Sequence, residues 1–325
     1  MTVIRGQMSE ASALASDIWH LTSFSRLYSH RSNRFAPTRA GMPGSRPLSD
    51  TTCRRSDCLV TLSLGWTLLV LLAAVMHAAW NVLVKFGDDA LVNMTLIMGM
   101  AGVIALAFTP FVSFPDPESW IFLLFGYRYG DLSLVYPIAR GSAPLLVGAS
   151  SWLLVGEVLS TTEMLGIAAI SAGIFSLAID RVHDREHRWR PVIFGLLTGL
   201  TIMSYTLCDG QGVRVAGDRW GYIVWLFVLD APALVLIAWW RRGPVLWSLV
   251  ARHWRVGAIG GALSMAAYGI AIYAMSQAFM AQVAALRETS VIFAAIFSAV
   301  ILKERFHPRR YLAVAMVALG AVLLH

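Results

Sequence analysis

The stretch SLVYPIARGSAPLLVGASSWLLVGE, residues 133–157, is soluble in hydrocarbon almost throughout. Its exceptions are Arg140, about seven positions in, and the closing Glu157. A run of about twenty apolar residues spans a hydrocarbon core of roughly 30 Å as a helix. An ionised side chain near the centre of such a helix costs about 2.5–3.5 kcal/mol on insertion scales. Arg140 must therefore face a cavity or a partner.

The surrounding chain has the same character. Of 325 residues, 57% are hydrophobic and 14% charged, where soluble domains carry about 25% charged residues. Long apolar runs recur from Leu59 onward. Lipid offers the backbone no hydrogen-bond partner, so only helices or a closed barrel can cross. The lack of strict alternation selects helices, giving an all-α polytopic membrane protein. Candidate spans are 62–86, 90–113, 133–155, 161–180, 191–208, 219–240, 256–279, 281–302 and 309–325. The apolar core of the stub around Trp120–Tyr127 is too short to cross.

The net charge of +7 sits in short loops between spans, which fits loop retention and contact with anionic lipid rather than nucleic acid. Cys53, Cys58 and Cys208 make no disulfide framework and no zinc spacing. Residues 1–58 hold eight Arg and four acidic residues with no long apolar run. They read as a disordered tail or a start codon placed too early.

The chain repeats itself. Residues 140–177 laid over 287–324 at an offset of 147 match Arg140 to Arg287, Ser151 to Ser298, Glu157 to Glu304 and Gly173 to Gly320. Ser142 falls on Thr289. The rare Arg and Glu recur at the same spacing of 17. "VMHAAWNVLVKFG" (75–87) lies over "IMSYTLCDGQGVR" (202–214) at an offset of 127. The difference, 147 − 127 = 20, is one helix missing from the first half.

Two tandem repeats, each with "VGE"-like chemistry before a glycine-bearing helix ("LGIAAISAGIFSL", 165–177), resemble the EamA-type transporters of the drug/metabolite transporter superfamily. The resemblance covers residues 60–325. It implies ten transmembrane helices in two inverted five-helix repeats, here nine to ten, with a truncated first repeat over 59–180 and a second over 191–325. It also implies a central cavity that carries small metabolites, often outward. The absent third helix, and "KER" in place of a small residue before Glu304, are departures from the family pattern.

If the repeats are inverted, Arg140 and Arg287 approach the midplane from opposite sides, where repeat transporters bind substrate. Arg suits bidentate contact with a carboxylate or phosphonate. Pro144 removes the hydrogen bond to the Arg140 carbonyl, and Ser142 adds a hydroxyl. Structural pairing of the arginines with Asp230 or Glu288 is the alternative. His77, Asn81 and Lys85 form an i, i+4, i+8 row with Trp80 beside it, a polar stripe suited to a cavity. His77 and mid-span Asp230 are proton-coupling candidates, whereas Asp209 falls at a span end. Tyr136 and Tyr205 line the cavity or sit in aromatic belts. Glu157 and Glu304 complement the N-terminus of each final helix; they, Pro144, Gly173 and Gly320 are structural.

No enzyme signature, metal spacing or cofactor loop is present. The expected function is alternating-access export of a small anionic or zwitterionic compound across the inner (plasma) membrane. A small-molecule substrate and the bilayer are the expected partners, and a homodimer is compatible. A transport-incompetent truncated protein and a membrane enzyme acting on a lipid-linked substrate are the alternatives. Four Lys and Arg in each of 181–190, 241–255 and 303–310 place those loops in the cytoplasm. With the tail also inside, the count favours nine spans with the chain ends on opposite sides, whereas the family expectation is ten.

Overall fold

The computed structural model describes residues 63–85, 89–120, 136–179, 189–302 and 308–324. All lie in the compact unit Arg54–His325. Among the described residues the regular elements are all helical: α1 (Leu64–Lys85), α2 (Ala90–Phe108), α3 (Tyr136–Ser150), α4 (Thr161–Ile179), α5 (Trp189–Val215), α6 (Arg219–Arg242), α7 (Val245–Met275), α8 (Met280–Arg287), α9 (Ser290–Leu302) and α10 (Pro308–Leu323). Among the described residues, seven helical stretches are long and apolar enough to cross a membrane, and Thr161–Leu177 and Tyr311–Leu323 are shorter apolar helices. Outward faces carry exposed Leu68, Leu72, Val103, Leu153, Leu196 and Leu312, as a lipid-facing surface requires.

Side-chain contacts fix the helix directions. The Trp66 ring stacks on Tyr273, and Trp220 also packs on Tyr273. The starts of α1 and α6 therefore meet the end of α7 at one end of the bundle, here the upper end. At the lower end Arg242 donates to Asp89 at 2.7 Å, joining the end of α6 to the start of α2. That hydrogen bond holds the Asp89 carboxyl below the usual carboxylate range. Hence α1 and α6 run down, while α2 and α7 run up. The Ser113 amide donates to Asp218 at 2.8 Å, returning the end of α2 to the upper end.

The repeat is visible in these contacts. A Cβ on Gly166 would lie 2.9 Å from the Gly320 carbonyl, and one on Gly173 would lie 2.9 Å from the Ala313 carbonyl. Exchanging the repeats at the offset of 147 (166 for 313, 320 for 173) turns each pair into the other. The axis relating the repeats thus passes between α4 and α10, which run antiparallel with backbones in near contact. Such approach by small residues drives helix association where lipid removes the hydrophobic incentive. Asp89 and Asp218 both cap their helices through the side chain, at an offset of 129.

Counterpart helices run oppositely: α1 down and α5 up, α2 up and α6 down, α4 down and α10 up. The repeats are inverted, as expected. Residues 64 and 324 then lie at the same end, which overturns the nine-span arrangement. The chain also enters at the end opposite to the one flanked by 180–188, 243–244 and 303–307. The stub and the missing-helix segment, residues 121–135, lie outside the described residues.

Boundaries moved where polar residues sit inside helices. α5 runs to Val215 rather than 208, which moves Asp209 inside the span. α7 begins at Val245 and bends at His253, where φ is −113° and ψ is 16°. α4 opens with a capping box: the Ser160 amide donates to Glu163 at 2.6 Å and the Glu163 amide to the Ser160 hydroxyl at 3.3 Å. α3 ends in a π-turn, Ser151–Val155, closed by Gly156 at φ 77°. A left-handed residue here is most easily glycine, and it turns Glu157 back into the bundle.

Candidate functional site

Arg140 and Arg287 enter the same interior. Arg140, buried at 7% exposure, donates from Nη1 to both oxygens of Glu288, at 2.9 and 3.0 Å. Its Nη2 contacts Nε2 of His77. Burying two charges is costly unless they are paired and hydrogen-bonded, and this pair is both. Glu288 is one of the two acids, with Asp230, that the sequence offers as a structural partner.

Arg287 differs. Its side chain is buried, and its Nε has no hydrogen-bond partner. Among the described residues it makes no ion pair, and its guanidinium lies over the Tyr268 ring at 5.4 Å. The repeat explains the difference. The image of the Arg140–Glu288 tie would join Arg287 to residue 141 (288 − 147), and residue 141 is glycine. One arginine is neutralised and its counterpart is left with capacity.

The chain breaks beside this second arginine. α8 ends at Arg287, and Glu288 and Thr289 turn before α9 begins. Amides of Glu288 and Thr289 bond three residues back, at 3.0 and 3.1 Å. In the first repeat α3 runs unbroken through Pro144. The opening expected at Pro144 thus falls at the matching place in the other repeat. Ser142 and Thr289 make the same local bond, to the carbonyls of Ala139 (3.1 Å) and Leu286 (2.7 Å). These carbonyls are themselves 147 apart, and both hydroxyls are committed to their own helices.

On α1, His77 meets Trp80 edge to face, ring centroids 5.2 Å apart. The Trp80 indole N–H is buried without a partner. Asn81 donates back to the His77 carbonyl at 2.7 Å, so it serves the helix rather than the cavity. Tyr205 meets Tyr268 edge to face at 6.3 Å, and both rings remain partly exposed inside the bundle. The side chains of Tyr136, Lys85 and Glu304 lie outside the described residues.

Asp209 was missed as an interior residue. Fully inside α5, it accepts from Tyr222 at 3.3 Å and from Tyr268. The run Asp209-Gly-Gln-Gly212 reads as a helix end, yet Gly212 keeps the helix going and gives the Tyr222 hydroxyl room. Asp230 is exposed midway along α6. At the offset of 129 it stands on Ala101, which in the first repeat is sealed against Gly261 of α7.

Glu157 serves a different helix N-terminus from the one expected. It accepts the Met280 amide at 3.2 and 3.0 Å and pairs with Arg214 at 2.7 Å. The first turn of α4 is served by Glu163 instead. No group of three or more His, Cys, Asp or Glu able to hold a metal occurs among the described residues.

Comparison with known proteins adds the following. Residues 189–325 match the family described as the EamA-like transporter family. A search of curated proteins gave no match. One solved crystal structure superposes with a TM-score of 0.61, covering 80% of this chain and 97% of its own at 17% identity; this is a likeness of fold. With an all-helical membrane-spanning body among the described residues, the chain is a multi-pass membrane protein whose residues 189–325 match the EamA-like transporter family.

Proposed function

We propose that the chain is an alternating-access carrier that moves a small anionic or zwitterionic organic compound outward across the inner (plasma) membrane. The observation carrying this reading is Arg287: a buried guanidinium beside a helix break, with an unpartnered Nε and no acid at the position its repeat would use. A buried donor left without a partner costs about 1–3 kcal/mol. An arriving carboxylate or phosphate recovers that cost, while the Trp80 indole N–H offers a second open donor near His77. Broken helices beside midplane sites are how repeat transporters meet substrate. Arg140 is held by Glu288 and acts as the neutral wall of the site. His77, against Arg140, and Asp230, exposed at mid-span, are the proton-carrying candidates.

The test is a thermal-shift screen of the purified protein against small carboxylates, phosphates and amino-acid zwitterions, repeated on Arg287→Gln. At least one anion should stabilise the wild type, and Arg287→Gln should weaken it by tenfold or more. Retention of affinity within twofold would remove Arg287 from the site.

A further inference from the structure

The upper end of the bundle is closed by side chains that none of the preceding roles require. Arg214, one residue from the end of α5, donates from Nε to the Met275 carbonyl at 2.8 Å and from Nη2 to the Ala278 carbonyl at 2.8 Å. The same Nη2 donates to Glu157 at 2.7 Å. Glu157, 3% exposed, also accepts the Met280 amide, capping α8 from the opposite repeat. Phe279, at the N-cap of α8, supplies no side-chain cap of its own. Beside this, Gln282 donates to Glu163, tying the second residue pair across the repeats. The end of α5, the end of α7, the start of α8 and the link from α3 to α4 are thus joined through one guanidinium and one carboxylate.

We propose that Glu157 and Arg214 form the gate of the upper end, closed in this conformation and broken when the site opens to that side. Two features separate a gate from a plain brace. The tie crosses the boundary between repeats, which is where alternating access requires movement. It also grips the start of α8, whose other end is Arg287 about 10 Å further on at 1.5 Å per residue. Breaking it frees the substrate-facing arginine and the upper end together. The inference rests on the alternating-access reading but not on the identity of the cargo.

Cys208 supplies the test. It is partly buried on α5, six residues or about 9 Å below Arg214. With Cys53 and Cys58 replaced by serine, its reaction with a membrane-impermeant methanethiosulfonate is followed from each face of sealed vesicles. Glu157→Gln and Arg214→Gln should each raise the rate from the upper face about tenfold and not from the lower. A cysteine at buried Ala238, near the lower end of α6 and away from the tie, in a Cys208→Ser background, should stay unreactive and so report an intact fold. If the Gln variants do not reach the membrane, Glu157→Asp and Arg214→Lys keep the charges and should raise the rate about threefold. Upper-face rates within twofold of wild type, in whichever pair folds, overturn the gate. No substrate is needed, so the gate and the anion site fail or stand separately.

Discussion

Arg140 and Arg287 share a sequence position in the repeat and almost nothing else. Arg140 is paired, so its removal strands Glu288 as a buried, uncompensated charge, which costs about 3–5 kcal/mol. Arg140→Gln should therefore lower membrane abundance, and Arg140→Gln with Glu288→Gln should largely restore it; quantitative blotting of tagged protein reads both. Loss of transport at unchanged abundance would instead make Arg140 a substrate ligand, as the sequence reading had it. For Arg287 the order is reversed: Arg287→Gln should keep abundance and lose ligand. That the two arginines matter was legible in the sequence, because a charge in an apolar run needs a reason. Which of them is satisfied was not, since it depends on Glu288 of one repeat having Gly141 as its image in the other.

At the scale of elements, the α4–α10 crossing brings the two repeats into near backbone contact. A Cβ on Gly320 would lie 2.6 Å from the Gly166 carbonyl and 2.9 Å from the Ile170 amide nitrogen, both backbone atoms that cannot yield. Gly320→Leu should force the helices apart and reduce the melting temperature by several degrees or prevent folding, whereas Leu319→Ala next to it, on an exposed face, should change little. Parallel melts of the two variants check this. The helices themselves were largely legible from apolar length, and Gly173 and Gly320 were named as structural from the repeat. The ends were less so: Asp209, Gly210 and Gly212 look like a terminus until Tyr222 and Tyr268 supply hydrogen bonds that sequence spacing does not reveal. The break after Arg287 was also invisible, since no proline marks it.

For the whole molecule, helix directions put both described ends at one end and the basic links at the other. Compartment-sensitive reporters fused at residue 59 and at the C-terminus should report the same side, and one inserted within 181–188 the opposite side. If the two terminal fusions disagree, the directions assigned to α1 or α10 are wrong. Inversion was legible as an expectation of the family resemblance. The parity was not, because the charge count rested on residues 1–58, which lie outside the described residues.

The first helix of each repeat is lodged in the other. α1 packs on α7 and α9, and α5 packs on α3. During synthesis, then, α1 reaches the bilayer with its polar stripe facing a socket that the ribosome has not yet made. His77 and Arg140 spend the interval before α7 to α9 emerge without Glu288 to quiet the charge. A chain cut short near residue 180 lacks Glu288, so Arg140 loses the acid it pairs with in the whole molecule. Such a fragment should be cleared faster than the full chain, and a pulse-chase of the two in membranes checks this.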